Sequence, residues 1–91
     1  MSLNFRIYSF NIRDSLHLEL AGDFDGSSAC EVINKILEHG KSVYEIFIDT
    51  HNLKIIYPHG REIFQKELRE IKKQFNNITF IGRNGHENLV N

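Results

Sequence analysis

A proline removes a backbone donor and is costly inside a helix or a central strand, so the chain's single proline marks a structural boundary. Pro58 lies between two contrasting patterns. Before it, Val43 to Ile48 is apolar apart from Glu45, as in a central strand covered on both faces, and runs into Asp49. A connector rich in β-branched and aromatic residues then leads to Pro58. After it come Gly60 and a stripe of Ile63, Phe64, Leu68, Ile71 and Phe75 at helical spacing, ended by Asn76 and Asn77. Proline suits the first turn of a helix, where no N–H is needed. The stretch therefore reads as strand, connector, and a helix opening at Pro58. Ile78 to Ile81 follows as a last short strand.

The first half of the chain leads up to this unit. Phe5 to Ile12 alternates as an edge strand, Arg13 to Ser15 has hairpin-loop length, and Leu16 to Ala21 alternates with Leu16, Leu18 and Leu20 inward and His17 and Glu19 outward. Gly22 to Gly26 reads as a strand break. Ser28 and Glu31 have capping-box spacing ahead of a stripe of Ala29, Val32, Ile33, Ile36 and Leu37, and Gly40 ends that helix. The order β-β-α-β-α-β predicts a mixed sheet, because helical crossovers favour parallel neighbours, with both helices mainly on one face. Gly82 to Asn91 reads as a tail or the start of another helix.

Composition narrows the function. Ninety-one residues suffice for one domain, and 41% apolar with 25% charged residues is ordinary for a globular chain. A net charge of −1 gives no electrostatic reason to bind nucleic acid. The Lys and Arg residues of 61–73 are interleaved with Glu62, Glu67 and Glu70 and read as a solvated helix face. No apolar run approaches the ~20 residues of a membrane span, so direct membrane insertion is not expected. No signal peptide is visible at the N-terminus, and Cys30 is the only cysteine. Both point to a reducing cytoplasm.

The order of Gly22-Asp23-Phe24-Asp25 after a strand, then a helix, a strand ending in Asp49, Leu53, Ile55-Ile56 and a helix-opening Gly60 resembles the STAS domain of bacterial anti-sigma factor antagonists. The resemblance covers roughly residues 5–82. It implies an α/β, SpoIIAA-like single domain over 1–91. Its sheet would be mixed, mostly parallel and four- to five-stranded, with two main helices on one face and 83–91 as a tail or truncated last helix. It also implies a protein partner, an anti-sigma factor that is a serine-kinase-like ATPase. In the family, the first hydroxyl residue of the loop before that glycine is phosphorylated. Here the loop reads Tyr57-Pro58-His59-Gly60, and Pro58, at the phosphoacceptor position, has no hydroxyl. A phosphate would add nearly two negative charges at the positive end of a helix; Pro58 accepts none, so this switch is not carried over. Family members usually continue into a further C-terminal helix, which leaves the sealing of one sheet face open and makes a homodimer through the uncovered sheet an expectation.

The expected partner-binding residues are Asp23, Asp25, Tyr57, Pro58, His59, Gly60 and Lys66, with Arg69 and Lys73 facing an acidic partner. Thr50, Ser27 and Ser28 are the other hydroxyls near the loop, and capping already accounts for the two serines. Cys30 is read as an inert, partly buried thiol. The histidines 17, 39, 51, 59 and 86 show no metal-ligand spacing, and neither metal nor cofactor is expected. Two other readings follow from the same residues. One is a STAS-like subunit of an ABC-type transport assembly. The other is a haloacid-dehalogenase-like phosphatase using Asp23 and Asp25, since Asp23-Phe24-Asp25-Gly26-Ser27 also resembles the opening of those enzymes. That enzyme needs a lysine and further acids on a larger sheet, so the non-enzymatic reading is preferred.

Overall fold

The computed structural model describes residues 4–75 and 77–82 together with Leu89. The chain runs through β1 (Arg6–Ile12), β2 (Ser15–Phe24), α1 (Gly26–His39), a 3₁₀ turn (Gly40–Ser42), β3 (Glu45–Ile56), α2 (Pro58–Ile71) and β4 (Ile78–Ile81). The sheet has the order β1-β2-β3-β4, antiparallel between β1 and β2 and parallel for the other two pairs. This is the mixed α/β arrangement expected.

The hairpin is tighter than expected. Ile12 pairs with Ser15, which leaves a two-residue turn with Arg13 at φ 54. Left-handed backbone is what such a turn demands, because its twist then matches that of the strands. The Asp14 carbonyl accepts from the amides of Tyr44 (2.7 Å) and Glu45 (3.3 Å), which ties the hairpin to the start of β3.

The largest departure from the sequence reading lies at the other end of β2 and β3. Gly22 to Gly26 does not break the strand, and the connector before Pro58 is not a loop. β2 continues to Phe24 and β3 to Ile56, with Gly22 paired to Leu53, Asp23 to Ile55 and Phe24 to Ile56. The pairing survives because two register shifts, between Glu19 and Ala21 and between Gly22 and Asp23, absorb the mismatch in residue number. Gly22 serves the second of these with φ +93. The cap of α1 also differs: Asp25 is the N-cap and Ser28 the residue closing the box, the expected spacing one turn earlier.

Both helices pack on one face. Leu16, Leu18, Leu20 and Phe24 of β2 and Ile46 and Ile48 of β3 meet Val32 and Ile36 of α1 and Phe64 and Leu68 of α2. Each such side chain, fully buried, contributes about 1.5–3 kcal/mol. Leu37, at the margin of the α1 stripe, is 41% exposed. Among the described residues, β3 is covered on one face rather than two. Glu45, Phe47 and Asp49 alternate with the buried residues and are half-buried on the side that carries neither α1 nor α2. The last expected element falls outside the described residues except for Leu89, which is fully buried in the core, its carbonyl accepting from Gln65 Nε2 (3.3 Å). Among the described residues, no helix is long and apolar enough to cross a membrane.

Gly22 offers a test of the extended pairing. A Cβ there would run into the Asn4 carbonyl, and φ +93 is strained for any L side chain. Gly22→Ala is expected to cost about 1–3 kcal/mol in urea unfolding. A variant as stable as the parent would show that 22–24 is a free loop.

Candidate functional site

The ends of β2 and β3 deliver the two helices to one place. The Tyr57 amide donates to the Phe24 carbonyl (2.9 Å), so the last residue of β2 is bonded to the residue that caps α2. α2 then lies directly on the cap of α1. A Cβ at Gly60 would sit 2.7 Å from the carbonyl carbon and oxygen of Asp25, an approach only glycine permits. The ring of His59 closes the junction from outside, its Cδ2 3.2 Å from where a Cβ of Gly26 would stand. The Asp25 bend and the proline-led helix start are thus neighbours at one end of the sheet.

The two helix ends are electrically different. At α1, Asp25 Oδ1 accepts from the Ser28 amide (2.9 Å), the Ser27 hydroxyl (2.8 Å) and the Ser28 hydroxyl (2.9 Å), while the Asp25 amide donates to Ser28 Oγ (3.1 Å). The Ser28 amide first, and then the Ser27 hydroxyl, hold the Asp25 carboxyl down at about 2 against an ordinary 3.8. α1 is therefore capped and its positive end offset by a fixed negative charge. At α2 the cap is Tyr57, which supplies no side-chain acceptor, and Pro58 occupies the first turn. The uncompensated positive end of the site belongs to α2.

Of the predicted residues, Tyr57 (45% exposed), Pro58 and His59 form the accessible rim. Lys66 is exposed seven residues beyond His59, on the same helix face and about 10 Å along the axis. Gly60 is buried and acts as a spacer between backbones. Asp23 stands apart from Asp25. It belongs to β2, its carboxylate accepts from Asn4 Nδ2 (3.3 Å), and strand alternation places it on the face away from the helices. The hydroxyls near the loop are engaged. Thr50 is buried and its hydroxyl is shared between the carbonyls of Ile81 (3.0 Å) and Gly82 (3.1 Å). Ser28 is buried in the cap, and Ser27 donates to Asp25. Cys30 is exposed rather than partly buried. Sequence reading missed Ile55, 48% exposed and two residues before Tyr57, because the connector was not seen as a strand with an outward face.

Among the described residues, no group of three or more His, Cys, Asp or Glu side chains could hold a metal ion. An open cleft of about 430 Å³, lined by Gly40, Tyr44 and Phe75 among others, lies at the opposite end of the sheet, where the helices finish.

No protein-family model and no curated protein matches the chain. Solved structures do. An uncharacterized protein of the DUF3478 family from Shewanella loihica PV-4 superposes with TM-score 0.65 at 18% identity, over 91% of this chain and 72% of that one. It is described as having a SpoIIAA-like fold. The anti-sigma factor antagonist SpoIIAA in its unphosphorylated form superposes with TM-score 0.54 at 16% identity, over 92% and 93% of the two chains. The fold is SpoIIAA-like. A third likeness, to Mglu, has TM-score 0.70 at 14% identity over 80% of this chain. The chain spans less than a third of each matched Mglu chain, 18% to 28% of its length. At these identities the likeness is one of fold.

The Asp25 cap gives the site a pH signature. Its carboxyl titrates lower folded than unfolded, so its stabilisation is complete above the unfolded value near 3.8 and is lost as pH falls through about 2. Asp25→Ala should cost roughly 0.5–2 kcal/mol at neutral pH. The gap in urea midpoint between parent and variant should close on acidification through that window. A gap that persists in acid would mean the carboxylate is not the cap.

Proposed function

We propose that the protein is a non-enzymatic regulatory domain that docks a protein partner on the joined starts of α1 and α2. It would work in a reducing cytoplasm, as a relative of anti-sigma factor antagonists without the phosphorylation switch. The observation that carries this reading is the seating of Gly60 on the Asp25 backbone, which fuses two helix starts into one surface rimmed by Tyr57, Pro58 and His59. The fold shared with SpoIIAA, described as an anti-sigma factor antagonist, supports a partner of the anti-sigma class, a serine-kinase-like ATPase. Carboxylate chemistry at the bend is not favoured, because Asp25 serves as the cap of α1 while Asp23 lies on the sheet face away from the helices.

The exposed face of α2 sets the partner's charge. Lys73 pairs with Glu70 (3.2 Å), whereas Lys66 and Arg69 are exposed and make no ion pair among the described residues. Together with the uncapped positive end at the far start of the helix, they favour an acidic partner surface. A phosphate on this loop would reverse that field, and with proline in its place the surface stays in the binding state.

Pro58→Asp puts one negative charge where the switch would act. Aspartate at a helix start is compatible with α2, so the melting temperature should not fall. In calorimetry against a serine-kinase-type anti-sigma factor encoded beside this chain's gene, the parent should bind and the variant should bind about tenfold or more weakly, a loss of about 1.4 kcal/mol. Equal affinities, or no binding by the parent, would contradict the proposal.

A further inference from the structure

The sheet face that carries neither helix has its own chemical pattern. Register aligns Phe10, His17 and Phe47 in one row across β1, β2 and β3. Their rings stack, with centroids 5.1 Å apart at 9° and 4.9 Å apart at 24°. The row on one side holds Tyr8, Glu19, Asp49 and, on β4, the exposed Ile81, and the row on the other holds Ile12, Ser15 and Glu45. An aromatic strip therefore crosses the strands, with carboxylates along both margins. Tyr8 is 55% exposed, Ile12 51% and Phe10 40%. Among the described residues, Glu19, Glu45 and Asp49 join no ion pair, and Asp49 accepts only from the nearby His51 amide (2.9 Å).

We propose that this face docks an amphipathic helix of another protein, one that carries Lys or Arg on both flanks of an apolar stripe. The two acidic margins are four residues apart along the strands, about 13 Å. A helix about 10–12 Å across fits between them. Its apolar stripe would lie on the stacked rings, and its long cationic side chains would reach a carboxylate on either side while their stems cover apolar surface. The strip spans three strands, about 10 Å between the outer two, so roughly seven to ten residues of the incoming helix make contact.

The charge pattern selects this occupant over the others. A second copy placed face to face would set Glu19, Glu45 and Asp49 against the same acids, and like charges in apposition are unfavourable. The exposed side of α2 mixes Arg61, Lys66 and Arg69 with Glu62 and Glu70 and carries no apolar stripe, so another copy's α2 does not fit. Nucleic acid and anionic lipid meet the same acidic margins. The surface involves neither Pro58 nor the helix starts, so it stands or falls separately from the partner site above.

The test is an NMR titration of the ¹⁵N-labelled full chain at neutral pH and low ionic strength. The probe is a synthetic helix with leucine at i, i+3, i+4 and i+7 and lysine on both flanks, and the control has glutamate in place of lysine. The expected result is saturable shifts at the amides of Phe10, His17, Glu19, Phe47 and Asp49 with the lysine peptide. Binding should be weaker by about tenfold or more with the glutamate peptide, and weakened by salt. Glu19→Lys, at a half-buried position with no ion pair among the described residues, should weaken lysine-peptide binding by about threefold or more at unchanged melting temperature. Absence of saturable shifts at these amides, equal binding of the two peptides, or shifts centred on α1 and α2 would overturn the proposal. So would dimerisation through this face without peptide, which would assign it to a second copy.

Discussion

Where β2 and β3 run side by side, from the Ser15–Glu45 pair to the Phe24–Ile56 pair, the ladder takes up two register shifts without parting. Each strand then passes into a helix within two residues. Because the two parallel strands reach equally far, the helices they feed must begin next to each other. Had pairing stopped at Glu19 and Asp49, both helices would hang from loops and their starts would be independent. The bond from the Tyr57 amide to the Phe24 carbonyl closes the ladder at the point where the site begins.

That closeness is anchored from below and limited from above. Beneath the helix starts, Phe5, Phe24, Phe64 and Phe80 meet edge to face in sequence, with centroids 5.8, 5.6 and 6.1 Å apart. Such pairs are worth about 0.5–1.5 kcal/mol each beyond the area they bury, and they fix the first turns of α2 over the end of β2. Above, the backbone of Asp25 leaves no room for a side chain at Gly60. The capped α1 and the uncapped α2 then give the site its polarity. On the far side of the same sheet, a flat aromatic strip between carboxylates offers a different kind of surface, so one sheet separates two unlike faces.

Much of this was legible from residue pattern alone. The stripes of Val32, Ile33 and Ile36 and of Phe64, Leu68 and Ile71, together with Pro58, locate both helices, and Leu16, Leu18 and Leu20 announce the inward face of β2. The ends of β2 and β3 were not legible, because Gly22 and Asp23 carry the same composition in a bulged strand as in a turn. Missing that extension hid Ile55 and moved the expected cap from Asp25 to Ser28. The ring stack was hidden for another reason. His17 alternates outward as a surface histidine would, and only the pairing register places Phe10 and Phe47 on either side of it. Sequence left open whether the Tyr57 ring is exposed or folded back over the core, and the burial of Gly60 and Thr50 depends on contacts between segments far apart in sequence.

Amide hydrogen exchange at Tyr57 reads the joint between the two strands. This amide should be protected to nearly the same free energy as the amides paired in the middle of β2 and β3, since it belongs to the same cooperative ladder. Exchange of Tyr57 at loop rates, while the amides around Ile46 and Ile48 remain protected, would show that the strands part early and that the two helix starts are not held together.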